Sequence, residues 1–168
     1  MTDSLAHYTC CFTGHRAIPE EHLGALIPLL DRTVCSLFQS GVRVFRTGGA
    51  LGFDTVAALT VLKYRSLHPE LRLELCLPCR DQQASWSHSS RQVYADIIAR
   101  ADKVTYLHEQ YTQGCMLERN RFMVDGSDIC VGYCTSDKGG SAYTLRYAEK
   151  QGLRVINLAA LLRNKERI

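Results

Sequence analysis

The sequence lacks the features that mark several large classes of protein. No apolar run approaches the roughly 20 residues that a membrane-spanning helix needs. Residues 1–4 do not show the basic-then-apolar order of a signal peptide. The net charge is only +3, and the basic residues are scattered, which gives little support for nucleic-acid binding because dedicated binders carry a basic stripe. We therefore expect a cytoplasmic protein with no membrane partner.

Cysteine, in contrast, is plentiful, with 8 residues. Cys76 and Cys79 have CxxC spacing, and Cys130 and Cys134 form a second close pair. A structural zinc site needs about four ligands, whereas these pairs fall on predicted buried strands, where neighbouring side chains point to opposite faces. We expect reduced cysteines that act as small apolar residues and no metal site. Zinc binding and redox chemistry are the alternatives.

Short apolar runs alternate with longer helical patterns along the 168 residues, which suit one domain over 1–168. This alternation predicts βαβ units and a parallel sheet. The expected fold is a single-domain, Rossmann-like α/β structure with a mostly parallel sheet of about six strands and helices on both faces. Strands are predicted at 8–13, 42–47, 71–77, 103–107, 129–133 and 154–158, and helices at 19–40, 52–66, 90–100, 115–125 and 141–151. The basic cluster at 163–167 is expected to be a solvated tail.

Ligands of such sheets bind beyond the carboxyl ends of the strands, where the strand order reverses. The first strand is followed by Gly14, His15 and Arg16. Glycine permits close approach of a ligand to the backbone, and arginine binds phosphate or carboxylate through paired donors. His15 is either a general base or a hydrogen-bonding residue that positions its neighbours.

A glycine-rich turn follows the second strand and contains Gly48, Gly49, Ala50 and Gly52. Backbone N–H groups in such a turn, together with the dipole of the following helix, can bind an anion. A plain strand-to-helix turn is the alternative. Asp54 either binds ribose hydroxyls or caps the helix.

A second pair of glycines, Gly139 and Gly140, follows the fifth strand and precedes Ser141 and Thr144. Two such turns at one sheet edge are less expected by chance than one, so the doubling favours a phosphate-binding site.

Two further positions belong to the predicted site or its surroundings. Arg119 and Asn120 lie near a helix start and are predicted to point over the crevice, with surface positions as the alternative. Trp86 follows the third strand and either covers a base or packs on the next helix.

Together these segments resemble the SLOG superfamily of DprA-like and LOG-like Rossmannoid proteins, and in particular its YpsA-like branch. The resemblance runs from the TGHR segment at 13–16 through GGALGFD at 48–54 to the last strand. It also includes the segments at 111–115, 119–125 and 138–144. Each motif is moderately specific, and their order and spacing together are more so.

The resemblance implies a nucleotide-related ligand held by the glycine turns, with Arg119 nearby. LOG-like members are phosphoribohydrolases that carry an arginine and a methionine spaced as Arg119 and Met123 are. Their paired-glycine segment supplies a glutamate a few residues past its threonine, whereas Arg146 and Tyr147 occupy that region here and the nearest acid is Glu149.

The leading hypothesis is therefore binding or sensing of a nucleotide or nucleotide-derived ligand, such as a nucleoside monophosphate or an ADP-ribose- or NAD-related molecule. One alternative is a LOG-like N-glycosidic hydrolase that uses Arg119 and Glu149. A second alternative is DprA-like binding of single-stranded DNA. We expect no cofactor other than such a ligand, and we expect a homo-oligomer.

Overall fold

The computed structural model describes residues 8–166, which form six strands and six helices in regular alternation. The strands are β1 (Tyr8–Gly14), β2 (Val42–Thr47), β3 (Arg72–Cys79), β4 (Lys103–His108), β5 (Ile129–Tyr133) and β6 (Arg154–Asn157). The helices are α1 (Glu20–Gln39), α2 (Phe53–Arg65), α3 (His88–Arg100), α4 (Cys115–Asp125), α5 (Gly140–Lys150) and α6 (Leu158–Glu166).

All six strands pair in parallel, in the order β4-β3-β2-β1-β5-β6. This confirms the predicted Rossmann-like α/β fold. The chain first builds the sheet outward from β1 to β4 and then crosses back to place β5 on the other side of β1. The strand order therefore reverses between β1 and β5, and the loops that follow these two strands diverge there and leave a crevice.

Apolar side chains cover both faces of the sheet, as parallel strands require. Strand β1 shows the division: Cys10 and Phe12 belong to one buried cluster, and Cys11 belongs to the other. The larger cluster receives side chains from α1, α2, α3 and α6, and the smaller one from α4 and α5. Since successive residues of a strand alternate between faces, the continuous apolar runs fill both layers.

The structure differs from the sequence prediction at several element ends. Strand β3 runs through Pro78 to Cys79, and α3 begins earlier than predicted because Ser87 caps it and accepts a hydrogen bond from the Ser90 N–H. Strand β6 ends at Asn157, and the predicted tail is a helix in its described part. Burial of one face of α6, through Leu158, Ala159 and Leu162, accounts for this helix.

All eight cysteines are free. Seven of them are buried, and burial raises the pKa of the thiols of Cys76 and Cys79 to about 11. Among the described residues, no three His, Cys, Asp or Glu side chains are grouped so that they could hold a metal ion.

None of the described helices has the length and hydropathy for a membrane span. The predictions about residues 1–4 and about Arg167 fall outside the described part of the chain.

Candidate functional site

A cavity of about 450 Å³ opens at the crevice between β1 and β5. Four segments contribute to it: the loop after β1, the β2–α2 turn, the first half of α4 and the start of α5. The residues that line it are Thr13, Gly14, His15, Arg16, Ala50, Asp54, Met116, Leu117, Arg119, Asn120, Lys138, Gly139, Gly140 and Ser141. Residues far apart in sequence thus meet at the sheet edge where the sequence predicted a ligand.

The β1 loop is held in place by His15. Its ring Nε2 accepts a hydrogen bond from the Thr135 backbone N–H at 2.8 Å, and the backbone N–H of His15 donates to the Tyr133 carbonyl at 3.1 Å. An Nε2 that accepts carries no proton, so the neutral ring has its hydrogen on Nδ1. This geometry favours the positioning role of the two considered, because His15 ties the β1 loop to the loop after β5.

Arg119 forms the floor of the cavity and is only 3% exposed. Its guanidinium donates hydrogen bonds to the carbonyls of Gly48 and Cys76 and, through Nε at 2.8 Å, to the Asn120 side chain. No carboxylate of the described chain lies within ion-pair distance of it. Burial lowers the pKa of the guanidinium, and Asp54 acts against this shift. Arginine stays charged in proteins, so this cation is a permanent positive centre at the base of the cavity.

Asp54 is the carboxylate among the residues that line the cavity, and it is 5% exposed. One of its oxygens accepts a hydrogen bond from the Ala50 N–H at 3.2 Å. Burial raises the pKa of the Asp54 carboxyl to about 6, although Arg119 and the Ala50 N–H both act to lower it. The group therefore changes charge close to neutral pH, which suits an acid or base as well as an acceptor for a ligand hydroxyl.

Asn120 links α4 to the start of α5. Its amide donates to the Thr144 hydroxyl at 3.0 Å, and that hydroxyl donates to the Gly140 carbonyl at 2.8 Å. Because Arg119 in turn donates to Asn120, one continuous chain of hydrogen bonds runs from the β2–α2 turn to the N-terminus of α5. Thr144 thus supports the site from behind and does not line the cavity.

The N-terminus of α5 opens directly into the cavity. No side chain caps it, and Gly139, Gly140 and Ser141 all line the cavity beside Lys138. The first backbone N–H groups of a helix have no partner within the helix and carry part of its positive dipole. This helix end is therefore available to an anionic group of a ligand.

Other predicted site residues lie outside the cavity. Gly48 and Gly49 pack against the guanidinium of Arg119 and the side chain of Leu77, respectively, and so contribute to the structure beneath the cavity. Gly52 packs against the carbonyl of Arg16. Glu149 is exposed, and it lies near the C-terminal end of α5, opposite the cavity, since about 2.8 helical turns separate it from Gly139.

Sequence reasoning did not assign Thr13, Met116, Leu117 or Lys138 to the site. Lys138 directly precedes the second pair of glycines, so its charge beside a helix start was an available signal. Met116 and Leu117 carry no comparable signal, because apolar residues at a helix start are ordinary core candidates. Trp86 lies against Tyr94 with ring centroids 5.1 Å apart and packs on the larger apolar cluster.

The cavity has an excess of positive charge. Arg16, Lys138 and Arg119 contribute three cations and Asp54 one carboxylate, and the open start of α5 adds a positive dipole end. Paired arginine donors and helix N–H groups are suited to phosphate. A buried carboxylate beside them is suited to a hydroxyl or amino group of the same ligand.

Comparison with known proteins agrees with this fold. A UPF0398 protein of Halalkalibacterium halodurans is 32% identical over 124 residues, which are 72% of this chain and 66% of that protein. DNA processing protein A from Helicobacter pylori, whose single-stranded DNA binding has been described structurally, superposes with a TM-score of 0.64 at 22% identity, over 89% of this chain and 64% of that one. DNA processing protein A from Streptococcus pneumoniae gives a TM-score of 0.65 at 17% identity, over 90% and 50%.

This chain thus matches only part of the length of each of these proteins. The two structural likenesses, at such low identity, concern the fold. The family model described as the YspA SLOG family matches residues 11–160, which include every segment that carries the cavity. The resemblance inferred from the motifs is therefore confirmed, and the chain belongs to the YspA SLOG family.

Proposed function

We propose that this protein binds a nucleotide or nucleotide-derived ligand, with a phosphate of that ligand at the N-terminus of α5. The observation that carries the proposal is the uncapped helix start, which opens into the same cavity as the buried Arg119 and Asp54. Lys138 and Arg16 lie at the same cavity and add charge that draws an anion toward it.

Asp54 favours a nucleotide over a simple anion. A site for inorganic phosphate alone gains nothing from a buried carboxylate, since two negative groups repel each other. A ribose supplies hydroxyl donors for that carboxylate while its phosphate meets the helix start. The cavity volume of about 450 Å³ falls within the ordinary range for small-molecule sites.

The first test is a thermal-shift and calorimetric screen with nucleoside monophosphates, NAD, ADP-ribose and inorganic phosphate. A ligand at about 100 times its dissociation constant should add about 2.7 kcal/mol of stability. Two lysines flank α5, Lys138 at its start and Lys150 at its end. We expect Lys138→Ala to weaken binding of the best ligand by about fivefold or more, because it removes an exposed charge beside the phosphate.

Lys150→Ala is the matched control, since it removes the same charge from the far end of the same helix and should leave the affinity unchanged. Equal affinities of the two variants would show that the phosphate does not lie at the start of α5. The absence of binding by every phosphate compound would contradict the proposed function itself.

Hydrolysis of an N-glycosidic bond is a second candidate function, and the raised pKa of Asp54 favours it. A carboxyl with a pKa of about 6 can hold a proton for a departing base or accept one from water. The Arg119 guanidinium would stabilise negative charge that develops in the same cavity. Glu149, in contrast, is exposed at the far end of α5. Asp54 therefore replaces Glu149 as the candidate acid or base.

The hydrolase hypothesis predicts release of free base from a nucleoside monophosphate, measured by chromatography. Asp54→Asn should lower that release by about 100-fold or more, as loss of a general acid or base does, while the variant still binds phosphate. Turnover that is unchanged in Asp54→Asn would exclude Asp54 as the acid or base. Binding without turnover in the wild type would exclude the hydrolase hypothesis and leave ligand binding as the proposed function.

The structural similarity to the Helicobacter pylori protein suggests single-stranded DNA as another partner to test. Its phosphates share the chemistry of the proposed ligand, so an oligonucleotide belongs in the same screen. Binding of DNA through phosphates should weaken steeply with salt. Binding of a mononucleotide at an enclosed site should depend on salt far less, and this difference separates the two partners.

A further inference from the structure

A second depression, with a volume of about 390 Å³, lies beside the β2–α2 turn. Its walls are aliphatic and come from three helices and the turn, through Leu23, Leu51, Val56 and Val93 among others. We call it the aliphatic groove. Val93 is 40% exposed although it is apolar, so the groove leaves hydrocarbon surface open to water.

The aliphatic groove adjoins the phosphate cavity. Ala50 and Asp54 line the cavity, and their direct neighbours in the sequence, Leu51 and Thr55, line the groove. The β2–α2 turn is thus a thin wall between the two depressions. Arg16 lines both of them and is itself exposed, so it lies at the border that the two depressions share.

The groove also offers specific hydrogen-bonding positions. The Thr55 hydroxyl donates to the Ala50 carbonyl at 2.9 Å, which leaves its oxygen free to accept. The Ser90 hydroxyl oxygen accepts from Ser87 at 3.0 Å, which leaves its hydrogen free to donate. One acceptor and one donor therefore accompany the aliphatic walls.

We propose that the aliphatic groove binds the heterocyclic base of the ligand whose phosphate lies in the adjoining cavity. This inference rests on the proposed function and adds the position and chemistry of its second half. A base has apolar faces for the aliphatic walls and an edge with donors and acceptors for Thr55 and Ser90. The planar guanidinium of Arg16 stacks on an aromatic face, as arginine does.

These features distinguish a base from other apolar groups. An acyl chain would gain nothing from a free donor, a free acceptor and a planar cation, and it would leave these polar groups without partners, at a cost. The closeness of the groove to the cavity matches a ligand in which a sugar joins the base to the phosphate.

The experiment compares ligands with and without a base. Calorimetry measures the affinity of wild type for the four common nucleoside 5′-monophosphates and for ribose 5-phosphate, which has no base. We expect at least one monophosphate to bind tenfold or more tightly than ribose 5-phosphate. Val93→Trp fills the groove from its exposed side and should remove that advantage while ribose 5-phosphate binds as before.

Leu161→Trp is the matched control, because Leu161 is 42% exposed on α6 and is not among the described residues that line either depression. It should leave every affinity unchanged, and melting curves should show that both variants are folded. Should no monophosphate bind better than ribose 5-phosphate, or should Val93→Trp keep the full advantage, the groove does not hold the base. Failure of these compounds and of every other phosphate compound in the screen to bind would instead overturn the proposed function.

Discussion

The two glycine-rich turns at the site look alike in sequence and differ in structure. In the β2–α2 turn, the protein itself occupies the space that the glycines leave: the guanidinium of Arg119 lies against Gly48, and the Arg16 carbonyl lies against Gly52. In the turn before α5, a Cβ at Gly139 would have no described atom within 4 Å other than those of its chain neighbours. Outside its own helix, the nearest atom to a Cβ at Gly140 would be in the Leu117 side chain, at 3.9 Å.

The difference separates two uses of glycine. The first turn is a packed support that holds Arg119 and Asp54, and its glycines allow the chain to contact itself closely. The second turn is open to the cavity, and its glycines leave room for a ligand. The interpretation of both turns as phosphate cradles therefore fits the geometry of the second alone.

The largest effect that this comparison predicts is on folding stability. Gly52 and Gly139 both have positive φ angles, +77° and +94°, but a Cβ at Gly52 would also overlap the Arg16 backbone. We expect Gly52→Ala to lower the free energy of unfolding by about 3 kcal/mol or more, from strain and overlap together. Gly139→Ala should lower it by about 1–2 kcal/mol, from strain alone.

Urea denaturation of the two variants provides the measurement. If the two variants lose similar amounts of unfolding free energy, the two turns are packed alike and the distinction drawn between them is wrong.

The next effect in size is on the pH dependence of the unfolding free energy, because the packed turn holds a buried carboxyl and the open turn does not. The folded pKa of Asp54 is about 6 against an ordinary value of 3.8, so the folded protein holds this proton more tightly than the unfolded chain. This group therefore lowers stability as pH rises through the interval between these values. The full loss, about 3 kcal/mol, is present above about pH 7.

Asp54→Asn cannot ionise and should lack this contribution. The difference in unfolding free energy between wild type and Asp54→Asn should shift by about 2.4 kcal/mol in favour of the variant between pH 4 and pH 7, since part of the loss is already present at pH 4. Parallel stability curves over this interval would show that the carboxyl does not titrate from a buried position.

The smallest effect on stability is expected at Gly140, the first residue of α5. Alanine has space there and prefers a helix to glycine, so Gly140→Ala should change the unfolding free energy by less than about 1 kcal/mol. The added methyl group enters the cavity, so binding of the ligand found in the screen should weaken by at least tenfold. Unchanged affinity would show that the ligand does not approach the start of α5 as closely as we propose.

Much of the fold follows from patterns that are local in the sequence. Each strand and the five longer helices were predictable because apolar runs and helical spacing occur within one element. The position of the crevice could also be predicted from the sequence, since the loops after parallel strands meet at one edge of the sheet. Helix α6 was missed because the basic residues near the end of the chain resembled a tail, although Leu158, Ala159 and Leu162 had the spacing of one helix face.

The interior of the site was harder to predict, because it depends on contacts between distant residues. Nothing near Gly48 in the sequence shows that Arg119, 71 residues later, donates to its carbonyl. The same holds for Asp54, whose raised pKa arises from burial that a sequence does not display. Glu149 was a candidate because it is the acid that follows Thr144 most closely in the sequence, but the acid that lines the cavity is Asp54, on a different helix.

The reach of Arg119 from α4 to the carbonyls of Gly48 and Cys76 has a consequence for motion. Helix α4 cannot undock from the sheet without removing the floor of the cavity and, through Asn120, the brace on α5. A ligand that binds only the assembled cavity must then suppress the local opening of α4, by the same mass action that raises overall stability. The backbone amides of α4 should therefore exchange with deuterium more slowly in the bound protein, even though most of them never touch the ligand.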